Sequence, residues 1–118
     1  MEQRKVKYQL TKVFKDMDQS QVGINEVMYL EAKVNYTVLY ANGQKFTSSR
    51  TLKNFEMMLN TNDFVRIHKS YMVNTSFICK LIYAEKGGFL KLRNGVKLGI
   101  ARRRLSGIKE KLKSLNIT

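Results

Sequence analysis

Short apolar or alternating stretches, each ended by a polar or glycine-containing turn, follow one another along most of the chain. Residues 4–10 alternate apolar and polar side chains, as a half-buried strand does, and residues 27–32 form an apolar run typical of a buried strand. Asn42 and Gly43 separate residues 36–40 from 44–47 and supply the positive φ angles of a tight hairpin turn. This spacing predicts antiparallel strands joined by short connections.

The second half of the chain shows the same pattern. Residues 64–67 and 71–73 are predicted to be strands on either side of the short segment 68–70. A predicted meander follows, with strands at residues 77–84, 89–93 and 96–101 and turns at Gly87-Gly88 and Asn94-Gly95.

Two segments carry apolar residues at helical spacing instead. The first predicted helix covers residues 51–59, and Ser49 or Thr51 can cap its start. The second covers residues 103–115, and we expect its apolar stripe to pack on the strands; an amphipathic helix on a membrane surface is the alternative. The stripe residues are Leu105, Ile108, Leu112 and Leu115. The pattern predicts one mainly β domain with minor α content.

Positive charge is concentrated in the second half of the chain. The sequence has 22 Lys and Arg against 9 Asp and Glu, a formal net charge of +13. Residues 1–63 hold 9 basic and 7 acidic side chains, a difference of +2, whereas residues 64–118 hold 13 and 2, a difference of +11. Such a surplus predicts a positive face, whose usual partners are phosphate polyanions. A solubilising, ribosome-like or membrane-surface charge distribution is the alternative.

The residues give little support to catalysis. His68 is the one histidine and has no acidic neighbour, and the sequence contains no dinucleotide-binding, P-loop, nucleophile-elbow or HExxH motif. The single cysteine, Cys79, lies in an apolar run and is predicted to be a buried thiol rather than a nucleophile. We therefore predict that the protein is not an enzyme and uses no cofactor or metal.

Signals for export or membrane insertion are also not apparent. No apolar run approaches the ~20 residues of a membrane span, and the first residues lack the apolar centre of a signal peptide. One cysteine cannot form an intrachain disulfide. These features predict a cytoplasmic protein with no membrane partner.

The stretch DFVRIHKSYMVN, residues 63–74, is the most specific feature of the sequence. It resembles the signature of LytTR DNA-binding domains, the output domains of bacterial response regulators. That signature is an aromatic residue, Arg, an apolar residue, His or a similar residue, a basic or polar residue, Ser, an aromatic residue, two apolar residues and Asn. The matching residues are, in order, Phe64, Arg66, Ile67, His68, Lys69, Ser70, Tyr71, Met72, Val73 and Asn74.

The resemblance extends over residues 4–115. Residues 25–32 are similar to the strand that precedes the family's first recognition loop, and residues 51–56 are similar to its short helix. Residues 101–105 are similar to its basic C-terminal segment, although Ala101 stands where Ser is more common. The resemblance implies an elongated stack of small antiparallel β-sheets with a short helix and a C-terminal helix.

The resemblance also implies a function, which is sequence-specific binding of double-stranded DNA for transcription regulation, with loops entering successive major grooves. Residues 1–118 are expected to form a single such domain without a receiver domain, either isolated or stand-alone. A receiver domain or a cognate histidine kinase is the expected partner if the chain belongs to a longer regulator. Two copies are expected on direct repeats. An RNA-binding or ribosome-associated module is the alternative, although the tyrosines lack the spacing of an RNA-stacking sheet.

Three segments are the candidate DNA contacts that the resemblance implies. They are a loop between two strands, the middle of the signature, and the basic C-terminal segment. Their candidate residues are Lys33, Asn35 and Tyr36 in the first segment, His68, Lys69 and Ser70 in the second, and Arg102, Arg103 and Arg104 in the third.

The chemistry of these side chains suggests their roles. Lys69 can donate to guanine or to a phosphate, and Ser70 can donate to a phosphate. We favour a structural role for His68 in its turn. The planar guanidinium of Arg102 makes it the preferred base contact, because guanine accepts two parallel hydrogen bonds. Arg66 is expected to brace the domain internally rather than to touch DNA.

Overall fold

Strands predominate in the fold. The computed structural model describes residues 12–14 and 21–117. The strand predicted over residues 4–10 and the turn-like segment over residues 15–20 lie outside the described residues. The described strands form three antiparallel sheets of two, five and three strands, and the molecule measures 43 × 32 × 24 Å. The predicted elongated stack of small antiparallel sheets is confirmed.

The strands are β1 (Lys12–Phe14), β2 (Gln21–Gly23), β3 (Val27–Ala32), β4 (Thr37–Ala41), β5 (Gln44–Ser48), β6 (Phe64–His68), β7 (Tyr71–Asn74), β8 (Ile78–Ala84), β9 (Gly87–Leu92) and β10 (Lys97–Ile100). The helices are α1 (Leu52–Met58) and α2 (Leu105–Ser114), and 3₁₀ turns cover Ile24–Glu26, Thr75–Phe77 and Arg102–Arg104. β1 pairs with β2, the central sheet has the order β5-β4-β3-β7-β6, and the third sheet has the order β10-β9-β8.

The hairpin of β4 and β5 forms as its sequence predicts. Asn42 and Gly43 have φ angles of 52° and 75°, and Ala41 pairs with Gln44 across the turn. Both central residues of this turn type need positive φ, which Asn and Gly adopt at low cost. The hairpin register places Ser48 opposite Thr37, at the start of β4.

The two faces of the central sheet pack against different elements and so produce two hydrophobic cores. One core lies between this sheet and α1, and its fully buried members include Leu30, Leu39 and Phe55. The other core joins the sheet to the third sheet and α2, and it includes Ile67, Val73, Leu90, Leu92, Ile108 and Leu112. The stripe of α2 therefore packs on the strands, as expected. In the described part of the chain, no helix has the length and apolar character needed to cross a membrane.

Thr51 caps α1, whereas Ser49 does not. The hydroxyl of Thr51 accepts a hydrogen bond from the Asn54 N–H at 3.1 Å, and the helix ends where Leu59 becomes extended. A Thr oxygen at this position satisfies one of the free N–H groups of the first turn.

The thiol of Cys79 is exposed, so the prediction of a buried cysteine was wrong. The register of β8 shifts between Ile78 and Lys80, which is a β-bulge opposite β9. An extra residue in a strand breaks the alternation of faces, and Cys79 and Lys80 are consequently both exposed while Ile78 is buried.

The predicted turn at Gly87-Gly88 was also misplaced. The turn consists of Glu85 and Lys86, and both glycines belong to β9, where Gly87 pairs with Ala84. Gly88 is buried beneath the start of α2, and a Cβ atom there would lie 2.9 Å from the carbonyl oxygen of Ile82 and 3.3 Å from Leu105 Cδ1. The glycine permits close packing rather than a turn.

We expect Gly88→Ala to lower the free energy of unfolding by about 1–3 kcal/mol, because the backbone oxygen of Ile82 cannot move aside without disturbing the sheet. Gly107, on α2, has open space at its Cβ position, so Gly107→Ala should raise the free energy by about 0.5–1 kcal/mol through helix propensity. Urea unfolding of both variants and of the wild-type protein measures these changes in the free energy of unfolding. Equal effects of the two substitutions would contradict the packing role of Gly88.

Candidate nucleic-acid interface

Two of the three predicted contact segments lie side by side at one end of the central sheet. Residues 33–36 connect β3 to β4, and residues 68–70 comprise the last residue of β6 and its connection to β7. β3 and β7 are antiparallel neighbours, so the end of one meets the start of the other. The N–H of Ala32 donates to the carbonyl oxygen of Ser70 at 2.8 Å and joins the two connections directly.

The third segment is hydrogen-bonded to β6, next to the connection between β6 and β7. The N–H of Ala101 donates to the carbonyl oxygen of Ile67 at 2.8 Å, and the 3₁₀ turn Arg102–Arg104 follows. The structure thus brings all three predicted segments together. We call residues 33–36, 68–70 and 102–104 the loop end.

Arg66 fixes the connection between β6 and β7. Its Nε donates to the carbonyl oxygen of His68 at 2.9 Å and its Nη2 to that of Lys69 at 2.6 Å. Its Nη1 lies 2.8 Å from Glu56 Oε1 on α1, and the side chain is only 15% exposed. These internal contacts agree with the expected brace. The backbone of the turn is held while the Lys69 side chain points to solvent.

His68 makes contacts within this turn. Its Nδ1 accepts a hydrogen bond from the Ser70 N–H at 3.1 Å, and its ring lies 5.7 Å from that of Tyr71. A neutral imidazole that accepts at Nδ1 carries its hydrogen on Nε2. His68 and Ser70 are half-buried, which leaves Lys69 as the most accessible side chain of the turn.

The loop between β3 and β4 projects into solvent. A hydrogen bond of 2.8 Å from the Lys33 N–H to the Tyr36 carbonyl closes it, and all four of its residues are exposed. Lys33 Nζ lies 3.4 Å from Glu31 Oε2. Val34, at the tip, is 96% exposed. We did not single out Val34 from the sequence, because an apolar residue in a polar loop carries no signal of its exposure.

The end of β5 adds residues that the sequence analysis missed. Because Ser48 pairs with Thr37, the segment after β5 lies beside the loop, and Thr37 Oγ1 donates to the Arg50 carbonyl at 2.7 Å. Arg50 itself is exposed. A depression of about 370 Å³ at this point is lined by Asn35, Tyr36, Thr47, Ser48 and Ser49. The register of the Asn-Gly hairpin was the signal that could have located them.

The three consecutive arginines point in different directions. A 3₁₀ turn has three residues per turn, so successive side chains diverge. Arg102 and Arg103 are exposed, whereas Arg104 is half-buried and its buried Nε has no acceptor among the described residues. Ala101 supplies no side-chain cap to this turn.

A row of aromatic side chains on the central sheet supports the loop. The rings of Tyr40 and Tyr29 stack with centroids 4.3 Å apart, and Tyr71 meets Tyr29 edge-on at 6.3 Å. Tyr40 Oη donates to Glu31 Oε1 at 2.6 Å. Burial, then this hydrogen bond, raises the pKa of Tyr40, and burial with the charge of Glu31 raises the pKa of Tyr29. Both phenols therefore stay protonated to a higher pH than a free tyrosine, and Glu31 contacts both Tyr40 and Lys33.

The loop end is strongly basic. Its exposed cations, with the neighbouring Arg50, are Lys33, Arg50, Lys69, Arg102 and Arg103. Glu31 pairs with Lys33 at 3.4 Å and so offsets one of these charges. Within the described residues there is no group of three or more His, Cys, Asp or Glu side chains that could hold a metal ion. The arrangement provides hydrogen-bond donors for an anionic polymer.

Known proteins are similar to this chain in fold and sequence. Residues 18–113 match the family model described as the LytTr DNA-binding domain. A solved LytTr DNA-binding domain from Bacillus cereus has a TM-score of 0.78 to this structure and 29% sequence identity. The match covers 86% of this chain and 95% of that one.

Curated relatives include the transcriptional regulatory protein LytR of Staphylococcus aureus strains N315 and COL. Each is 31% identical over 67 residues, which is 56% of this chain and 27% of the relative. The fold, the basic loop end and these matches define a DNA-binding domain built on antiparallel sheets. The chain belongs to the LytTr DNA-binding domain family. None of the matches supports the RNA-binding alternative.

Replacement of the brace tests how the turn is held. Arg66→Lys keeps the charge but loses the paired hydrogen bonds from the planar guanidinium to the carbonyl oxygens of His68 and Lys69. We therefore expect the free energy of unfolding to fall by about 1–3 kcal/mol. Arg93→Lys, at an exposed position, is the matched control and should change stability little. Thermal and urea unfolding measure both. An unchanged stability of the Arg66 variant would show that the turn does not depend on the brace.

Proposed function

We propose that this domain recognises a specific sequence in double-stranded DNA by inserting the loop end into the major groove. The single observation that carries the proposal is the joining of the three predicted segments by two backbone hydrogen bonds, from Ala32 to Ser70 and from Ala101 to Ile67. Contacts from three segments held in one rigid arrangement can be matched to one pattern of base edges. Membership of a DNA-binding family supports the choice of DNA as the partner.

The exposed long side chains suit base contacts. We assign Lys69 and Arg102 to base edges, since both are exposed and both extend from a backbone that is fixed by neighbouring strands. Arg offers a planar pair of donors that matches guanine O6 and N7. Val34 at the tip of its loop suits an apolar contact with a thymine methyl group.

The remaining residues of the loop end suit contacts with the DNA backbone. Phosphate contacts position a protein on the duplex without reading its sequence. We assign this role to Lys33, Asn35, Tyr36, Ser70, Arg103 and Arg104, and we assign His68 to positioning of the turn.

The wider role is a second part of the proposal. The family, and the transcriptional regulator LytR among the relatives, favour the output domain of a two-component response regulator or a stand-alone regulator. A receiver domain or a cognate histidine kinase would then control it, and the protein would act in the cytoplasm, where bacterial DNA lies. We propose that two copies bind direct repeats, because a charge of +13 opposes association of the free protein while phosphates neutralise it on DNA.

Selection of bound duplexes from a random library tests the proposal. We expect enrichment of one short motif, and of two copies in the same orientation about one or two helical turns apart. Competition with single-stranded RNA serves as the control. Failure to enrich any motif, or a preference for the RNA, would refute sequence-specific DNA recognition.

Substitutions in the loop end should separate base contacts from general attraction. Lys69→Ala and Arg102→Ala should each weaken binding to the selected duplex by about 1–3 kcal/mol and relax the preference at particular base pairs. Lys113→Ala, on the exposed side of α2, removes the same charge and should have a smaller effect on all sequences alike. Titration with the selected duplex and with single-base variants measures this. An equal loss of specificity in the Lys113 variant would contradict the assignment.

The affinity should also depend steeply on salt. If about six basic side chains neutralise phosphates, the logarithm of the binding constant should fall with a slope of about −5 against the logarithm of salt concentration. Binding measured at several salt concentrations gives this slope. A slope near zero would mean that phosphates contribute little to binding.

A further inference from the structure

Three lysines form a row across the outer face of the third sheet. Lys91 on β9 lies directly opposite Lys80 on β8 and also directly opposite Lys97 on β10. Residues directly opposite each other point to the same face, with Cβ atoms about 5 Å apart. We call Lys80, Lys91 and Lys97 the lysine row.

No carboxylate of residues 21–117 forms an ion pair with this row. The ion pairs found among the described residues join Lys33 to Glu31 and Arg66 to Glu56, and neither involves the lysine row. Like charges directly opposite on neighbouring strands destabilise a sheet. The free domain therefore bears a repulsion that an external polyanion would relieve.

An apolar row lies beside the lysines. Phe89 on β9 is opposite Ile82 on β8 and Gly99 on β10, two positions further along the same face. Phe89 is 41% exposed. Cations next to an exposed ring suit a partner that alternates phosphates with less polar sugars, since protein contacts to a duplex backbone involve both groups.

The lysine row lies close to the loop end. Lys97 is four residues before Ala101 along β10, a distance of about 13 Å for extended chain. The row itself spans two strand spacings, about 10 Å. A duplex carries one charge per about 1.7 Å of its axis, so DNA held at the loop end presents several phosphates within this range.

We propose that the lysine row is a second DNA contact, which binds the sugar-phosphate backbone beside the segment that the loop end holds. This inference rests on the proposed function, because the loop end must first hold the duplex. The row adds affinity without selecting bases. A membrane surface with anionic lipids would also attract lysines beside a phenylalanine, but it gives no reason for the row to lie next to the loop end.

A comparison of two triple variants tests the proposal. The row variant carries Lys80→Gln, Lys91→Gln and Lys97→Gln, and the control variant carries the same change at the exposed residues Lys53, Lys86 and Lys113. With the selected duplex, we expect the salt slope of the row variant to be shallower than that of wild type by about 2 to 3. We expect its affinity to fall about tenfold or more at about 0.1 M salt, with the base preference unchanged. The control variant should lose much less.

The folded state of the row variant is checked by its melting temperature. Removal of the like charges should leave the melting temperature unchanged or raise it at low salt, so weaker binding would not reflect unfolding. In the wild-type protein, amine acetylation should be slowed by duplex at the lysine row and not at Lys113. This footprint decides the question without any substitution.

Several results would overturn the proposal. Equal losses of affinity and of salt slope in the two triple variants would mean that the row contributes only through the net charge of the protein. Row lysines that duplex does not protect from acetylation would exclude contact with DNA. If the row variant binds vesicles of phosphatidylcholine and phosphatidylserine less well than wild type does, while its DNA binding is unchanged, the row would instead be a membrane contact. In these cases wild-type selection of a motif stays intact, whereas failure of the proposed function would show as no motif at all.

Discussion

The guanidinium of Arg66 connects the packed part of the domain to its exposed end. Its Nη1 donates to Glu56 on α1. Its Nε and Nη2 donate to the carbonyl oxygens of His68 and Lys69. The three donors of a lysine ammonium sit on one atom and cannot reach these separate acceptors as the planar guanidinium does. The neighbouring segments are then aligned on the turn through the hydrogen bonds of Ala32 and Ala101. The geometry of the loop end therefore depends on this partly buried side chain together with the two backbone hydrogen bonds.

The most specific part of the sequence contributes mainly to structure. Asn74, the last residue of the signature, is buried, and its Nδ2 donates to the carbonyl oxygens of Asn25 at 3.2 Å and Val27 at 2.8 Å. Its Oδ1 accepts from the Ser76 N–H at 3.0 Å, so the amide ties β3, β7 and the following 3₁₀ turn together. Arg66 and His68 also serve the turn. Of the residues that match the signature, Lys69 has the clearest freedom to touch a partner.

Local patterns predicted the elements well, whereas packing decided the exceptions. The Asn-Gly turn and the cap of α1 depend on the backbone preferences of single residues, which a sequence carries directly. Cys79 was misjudged because a bulge depends on how β8 pairs with β9, which no local pattern records. Gly88 resembled a turn residue but is required by the close approach of the Ile82 carbonyl oxygen and of Leu105. The three candidate segments were found from the sequence, and their convergence required the sheet order.

The distribution of charge suggests how affinity and specificity are divided in this domain. The excess of +11 in residues 64–118 is far larger than a few base contacts require. Much of it lies outside the loop end, in the lysine row and on α2. The cations of the loop end instead extend from a backbone held by Arg66 and by hydrogen bonds between segments. Under the proposed function, the loop-end cations suit base edges, and the cations of the lysine row and α2 suit phosphates, which carry no sequence information. Affinity would then come from numerous lysines and specificity from one end of a single sheet.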